Sequence, residues 1–183
     1  MKIIFLDFDG VINNWNHFSG VDINNVKILK EILSKEEAFI VATTSNKYSF
    51  QRENGIDYYS SNYYNNYVKY LNELAVEIYD ITPYVKENKT LEIKEYIKKN
   101  HIKHYVIIDD ELLSPSVQDH QVLIDLYTGL QEKHIEPILK ILNDHLGFYP
   151  ADYNKKESPE EMLIRINNYY NLQTNSKCLK RKK

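Results

Sequence analysis

Cysteine is all but missing from this chain: Cys178 is the only one among 183 residues. A single thiol excludes a disulfide framework and a thiolate-bound metal, and it suits a reducing compartment. Long hydrophobic runs are missing as well. No apolar stretch approaches the roughly 20 residues that a membrane-spanning helix needs, and the segment after Met1 reads as a strand rather than a signal peptide. The expectation is a soluble, cytoplasmic protein with no membrane partner. A surplus of basic charge is also lacking, with 23 Lys and Arg against 26 Asp and Glu. Five of the 23 lie in the last seven residues, 177–183, which leaves the rest with 18 against 26, a net −8. So acidic a body excludes a general electrostatic hold on a long polyanion, and any nucleic-acid contact has to be local or made by the basic tail. No internal repeat is present.

What remains is a chain with 43% hydrophobic residues, enough for a core, and 16 tyrosines. Its length fits one domain with some to spare. Hydrophobic period and punctuation predict alternating strands and helices. Lys2–Phe8 reads as a strand apolar on both faces, the kind covered on both sides in a parallel sheet. Asp22 or Asn24 caps a helix with Val26, Leu29, Ile32 and Leu33 on one face. Ala38–Thr43 is a second strand, followed by a Tyr- and Asn-rich loop and a helix around 64–74. Val76–Ile81 is a third strand, Thr90–Asn100 an amphipathic helix, Tyr105–Ile108 a fourth strand and Gln121–Leu126 a fifth. Gln131–Leu146 is a further helix. Such alternation favours an open parallel sheet with helices on both sides. Ser158-Pro159-Glu160-Glu161 forms a capping box before a short amphipathic helix. The expected organisation is a domain over 1–146, a helical extension over 147–171 packed on it, and a basic, disordered tail over 172–183.

Three of these strands end in polar residues. The first runs into Asp7 and Asp9 before Gly10, the second into Thr43-Thr44-Ser45, and the fourth into Asp109-Asp110. Unpaired buried carboxylates are costly, so paired acids at a buried strand end require a cation or a chemical task. Two residues apart on an extended chain, Asp7 and Asp9 are expected to project to the same side. Ligands of doubly wound sheets bind at the carboxyl ends of strands, where these groups would meet. Lys89, at the start of a helix, supplies a positive charge. The set suits phosphoryl transfer through a covalent aspartate: oxygen ligands for Mg²⁺, a carboxylate nucleophile and a second acid that moves the proton.

These motifs resemble those of the haloacid dehalogenase (HAD) superfamily of phosphatases, whose first motif is Asp-x-Asp-Gly-[Val/Thr], here Asp7-Phe8-Asp9-Gly10-Val11. The resemblance implies a three-layer, Rossmann-like α/β fold with a central parallel sheet. It makes Asp7 the nucleophile and a metal ligand, and Asp9 the acid/base, with its backbone carbonyl on the metal. It places Thr44, with Thr43 as runner-up, at the phosphate beside Ser45, Gly10 and Lys89. Asp109 is the favoured further metal ligand, with Asp110 next to it, and Mg²⁺ is the implied cofactor. A narrower resemblance is to the HAD domains of Swiss army knife RNA-repair proteins. It rests on Thr44-Ser45-Asn46-Lys47, Thr82-Pro83, Lys89-x-x-Glu92-Ile93-x-x-Tyr96-Ile97, Ile108-Asp109-Asp110 and Gly129-Leu130, in order across 1–146. Asn46-Lys47 stands where that family has Trp-Arg, and Lys89 where it has Arg. Lys keeps the charge but lacks the planar fork of Arg.

The spacing leaves room for no cap domain, or a minimal one, so an open site is expected. It would admit a nucleic-acid end, RNA or DNA, or a nucleotide as phosphorylated substrate. Small metabolites and phosphoproteins are the alternative substrates, and a catalytically idle module that binds a phosphorylated ligand is the reading from another class. Tyr58, Tyr59, Tyr63, Tyr64 and Tyr67 are of a kind that stacks on bases, although the excess of Tyr, Asn, Lys and Ile that AT-rich coding produces accounts for them more simply. His101, His104 and His120 read as surface residues.

Overall fold

Four consecutive apolar residues, Ile3 to Leu6, cannot be left in water, and in the computed structural model all four have zero exposure. The structure describes residues 1–14, 21–44, 50–53, 56–59, 62–86 and 88–147, with only the backbone course given for those within 50–66. Strand β1 (Lys2–Leu6) is the centre of a five-stranded sheet. It pairs in parallel with β2 (Phe39–Ala42) on one side and with β6 (His104–Asp109) on the other. Outside these lie β5 (Ile78–Ile81) against β2 and β7 (Gln121–Leu123) against β6, giving the order β5-β2-β1-β6-β7, all parallel.

Side chains alternate across a strand, so β1 feeds two cores. Ile4 and Leu6 join Val26, Leu29 and Ile32 of α1 (Ile23–Lys35), Tyr67 and Leu71 of α2 (Asn62–Glu73), and Ile138 of α4 (Ile135–Leu142). Ile3 and Phe5 join Ile93 and Tyr96 of α3 (Lys89–Asn100) on the other face. Helices on both faces of a parallel sheet make the three layers of the expected α/β, Rossmann-like architecture. Among the described residues no helix is long and apolar enough to cross a membrane.

Element ends differ from expectation for local reasons. The first strand stops at Leu6 rather than Phe8 because the Phe8 carbonyl accepts the amides of Val11, Ile12 and Asn13, which winds the chain into a turn. The helix expected over 131–146 begins at Ile135 rather than Gln131 and ends at Leu142. Pro137 has no N–H to donate and so sits in the first turn, behind a 3-10 turn over Glu132–His134. Asp22 is the N-cap of α1, its carboxylate accepting from Asn24 N at 2.8 Å. Asn88 caps α3 by accepting from Leu91 N at 3.0 Å, so the helix starts on Lys89. The stretch read as a Tyr- and Asn-rich loop holds an antiparallel hairpin, β3 (Phe50–Glu53) with β4 (Ile56–Tyr59). Asn54-Gly55, a dipeptide favoured in two-residue hairpin loops, was the signal for it. The helical extension, the basic tail, Ser45, Asn46 and Lys47 lie outside the described residues.

Candidate active site

Parallel strands in register release their carboxyl ends side by side. Leu6 is paired with Ile108, and Asp7 N donates to Ile108 O at 3.0 Å, so Asp7 and Asp109 leave neighbouring strands next to each other. Lys89 arrives on the first residue of α3. Its Nζ lies 2.5 Å from Asp7 Oδ2, 3.2 and 3.1 Å from the two oxygens of Asp109, and 3.5 Å from Glu111 Oε2. Three of these groups are shielded from water, with Asp7 4%, Asp109 0% and Lys89 9% exposed. Asp7 Oδ1 also accepts from Phe8 N, and Asp109 Oδ1 from Glu111 N, each at 2.8 Å. A backbone amide just downstream thereby holds each carboxylate.

Carboxylate oxygens of Asp7, Asp109 and Asp110 all come within 4.8 Å of one another. The charges show in the proton affinities. Burial pulls the Lys89 ammonium down, but the fields of Asp7, Asp109 and Glu111 outweigh it and hold the group above the usual lysine range. Burial, then the neighbouring Asp7 charge, raises Asp109 well above the usual carboxylate range, and the same two causes push Asp110 up to about 7. One ammonium among so many carboxylates leaves a surplus of negative charge on closely spaced oxygens. That donor set fits a hard divalent cation.

Gly10 stands against this cluster with φ +75°, and a Cβ built on it would collide with Asp110 Oδ2. Its amide is taken by Asn13 Oδ1 at 2.7 Å. Asp9 does not project with Asp7. The turn at Phe8 brings it instead to α2 and to the turn itself, where Asp9 Oδ1 accepts from Tyr67 OH at 2.7 Å and from Asn13 Nδ2 at 2.9 Å. The expectation of two acids on one side assumed an extended chain, and β1 has already ended. Tyr67 is 1% exposed and packs on Phe8 with ring centroids 5.4 Å apart, so it is buried rather than offered to a base. Side chains of Tyr58, Tyr59, Tyr63 and Tyr64 are outside the described residues.

Thr43 continues the β2 ladder, its amide donating to Leu6 O at 2.9 Å, which sets it beside the end of β1. Thr44 follows, and both are buried. His104 pairs with Asp144 at the surface, His120 stacks on Tyr105, and His101 is the left-handed C-cap of α3. None of the three is near the carboxylates.

Several residues support the site in ways the sequence alone did not reveal. Glu92, with no exposure, accepts from Val85 N at 3.2 Å and so ties down the loop that delivers Lys89. Tyr96, one turn on, donates to Asp80 at 2.9 Å and packs edge-on against Phe5. Gln121, also fully buried, donates to Glu111 O at 2.7 Å and accepts from Leu113 N at 3.1 Å, holding the loop after Asp109-Asp110. Leu130 N donates to Val11 O at 2.9 Å, and Asn25 Nδ2 donates to the same carbonyl at 3.2 Å. Gly129 has φ +67°, and a Cβ there would strike Asn25 and come within 2.8 Å of Val11 O. Gly129-Leu130 thus locks the loop after β7 onto the loop that carries Asp9. Glu92, Tyr96 and Gly129 were visible as motif letters, but their partners were not.

No curated protein and no solved structure matches the chain. Residues 3–135 match the family described as the HAD domain in Swiss Army Knife RNA repair proteins, and the chain belongs to that family.

Proposed function

We propose that the protein is a Mg²⁺-dependent phosphomonoester hydrolase that works through an aspartyl-phosphate, with a nucleic-acid end or a nucleotide as substrate. The observation that carries this reading is the gathering of Asp7, Lys89, Asp109 and Asp110 at the carboxyl ends of β1 and β6. An idle binding module would not need four such groups packed at that cost in buried charge.

In the first step an Asp7 oxygen attacks phosphorus and forms an acyl phosphate, while the bond from phosphorus to the ester oxygen breaks. Asp9 gives its proton to that departing oxygen, so the leaving group is an alcohol. In the second step Asp9 takes a proton from water as the water attacks phosphorus, and orthophosphate and free Asp7 result. Lys89 balances the phosphate charge, and Thr44, with Thr43 and Ser45 as its neighbours, offers hydroxyl groups to the phosphate oxygens. Asp7, Asp109 and Asp110, with the Asp9 carbonyl, would hold Mg²⁺, which supplies charge neutralisation at the phosphate when bound.

Support for a bulky substrate comes from the chain's layout and its family. Between β1 and β2 the one described element is α1, and between β2 and β5 lie a hairpin and α2, too little for a separate cap domain. Asp7→Asn tests the chemistry: Mg²⁺-dependent turnover of an aryl phosphate should fall by at least about a thousandfold with the fold retained. Unchanged turnover would sink the covalent mechanism. A panel of 3′- and 5′-phosphorylated oligonucleotides, mononucleotides and sugar phosphates tests the substrate, and equal or faster hydrolysis of sugar phosphates would remove the nucleic-acid assignment.

A further inference from the structure

A proton-transfer carboxylate has two requirements that pull in different directions. It has to be held within about 3 Å of the oxygen it serves, yet it has to exist in both protonation states during the cycle. A cationic partner would hold it but favour the charged state by its full charge, whereas a neutral donor holds it at a smaller bias. In this protein the two acids of the Asp7-Phe8-Asp9 motif are held by different donors. Asp7 is paired with the Lys89 ammonium, and Asp9 is met by a phenol and an amide.

We infer that Tyr67 is the positioning residue of Asp9, which it orients together with Asn13 for proton transfer to the leaving oxygen. The inference rests on the hydrolase reading above. Tyr67 OH and Asn13 Nδ2 both donate to one and the same atom, Asp9 Oδ1, and they also touch each other. Asn13 is itself fixed, because its carbonyl oxygen accepts the Gly10 amide at 2.7 Å. Tyr67 is fixed by burial in the core formed by Phe8, Leu71 and the β1 residues. Asp9, by contrast, is exposed. An exposed carboxylate on a turn would sample several rotamers, and two rigid donors on Oδ1 restrict it to one.

Tyr67 comes from α2, in the insertion between β2 and β5, and not from the strand-end motifs or from Lys89. The insertion therefore contributes to the catalytic geometry from the side of the sheet opposite Lys89.

The variant Tyr67→Phe keeps the ring that packs on Phe8 and removes only the hydroxyl. An alkyl phosphate needs its leaving oxygen protonated, whereas p-nitrophenolate departs without a proton. The expected result is a fall of roughly tenfold in kcat/KM for an alkyl phosphate, with a much smaller fall for p-nitrophenyl phosphate. Asn13→Ala, which removes the other donor, should give a split in the same direction. Equal falls on both substrates in both variants would overturn the inference, because a merely structural role affects the two alike. A wild-type protein that hydrolyses neither substrate would instead overturn the hydrolase reading, and the role of Tyr67 with it.

Discussion

At the scale of single residues the candidate site is a matter of charge. Asp7, Asp109 and Asp110 are packed closer than their repulsion favours, and Lys89 compensates them only in part. The price appears in Asp110, whose carboxyl is raised from the usual carboxylate value to about 7, by burial first and by Asp7 second. A cation that binds there has to displace that proton. Mg²⁺ affinity should therefore rise with pH, and the Asp110 proton alone contributes up to about tenfold per unit below 7. Isothermal titration calorimetry between pH 6 and pH 8 measures this. The sign for the metal-free protein is the reverse. A carboxyl with a raised folded-state value favours folding at low pH, and that contribution is lost as pH rises toward 7. Asp110→Asn should remove this part of the decline in the urea midpoint between pH 5 and pH 8. None of these pairings is written in the sequence near Asp110, because Asp7 lies about a hundred residues away. The acids themselves were legible, since two carboxylates after a fully apolar strand have no solvent-side explanation.

At the scale of elements, the site depends on loops that are latched to one another. The loop after β7 is fastened to the loop after β1 through Leu130 N and Val11 O, and Gly129 permits the approach with φ +67°. Gly129→Ala should cost about 1–3 kcal/mol or more, read as a fall in the urea midpoint, because the new methyl group meets Asn25 and the backbone is strained. Strands and helices were legible wherever apolar residues kept a period: β1, β2, β6, α1 and α3 lie close to where the sequence puts them. The hairpin β3–β4 was not, since Phe50-Gln51-Arg52-Glu53 and Ile56-Asp57-Tyr58-Tyr59 carry no sustained apolar alternation and only the dipeptide Asn54-Gly55 suggests a turn. The start of α4 was misplaced for a different reason. Ile135, Ile138 and Leu142 define its face, but Pro137 decides where its first turn lies.

At the scale of the whole molecule, a metal that binds the folded form alone stabilises it by mass action. Saturating Mg²⁺, at about a hundredfold over its Kd, should add about 2.7 kcal/mol and raise the thermal midpoint by several degrees. Asp109→Asn should abolish that shift in a thermal melt, and an equal shift in the variant would move the cation away from this cluster. The three layers follow from the sequence by itself, because strands apolar on both faces have to be covered by helices on both sides. So do the chemical types at the strand ends, since they stand next to the strands that place them: Asp7 and Asp9, Thr43 and Thr44, Asp109 and Asp110. Tertiary structure alone decided which of them meet. It put Lys89 between Asp7 and Asp109, and it turned Asp9 away from Asp7 toward Tyr67 and Asn13. The reason is one of range. Local pattern specifies an element and its ends, whereas a contact across 58 or 82 residues exists only once the sheet has brought the ends together.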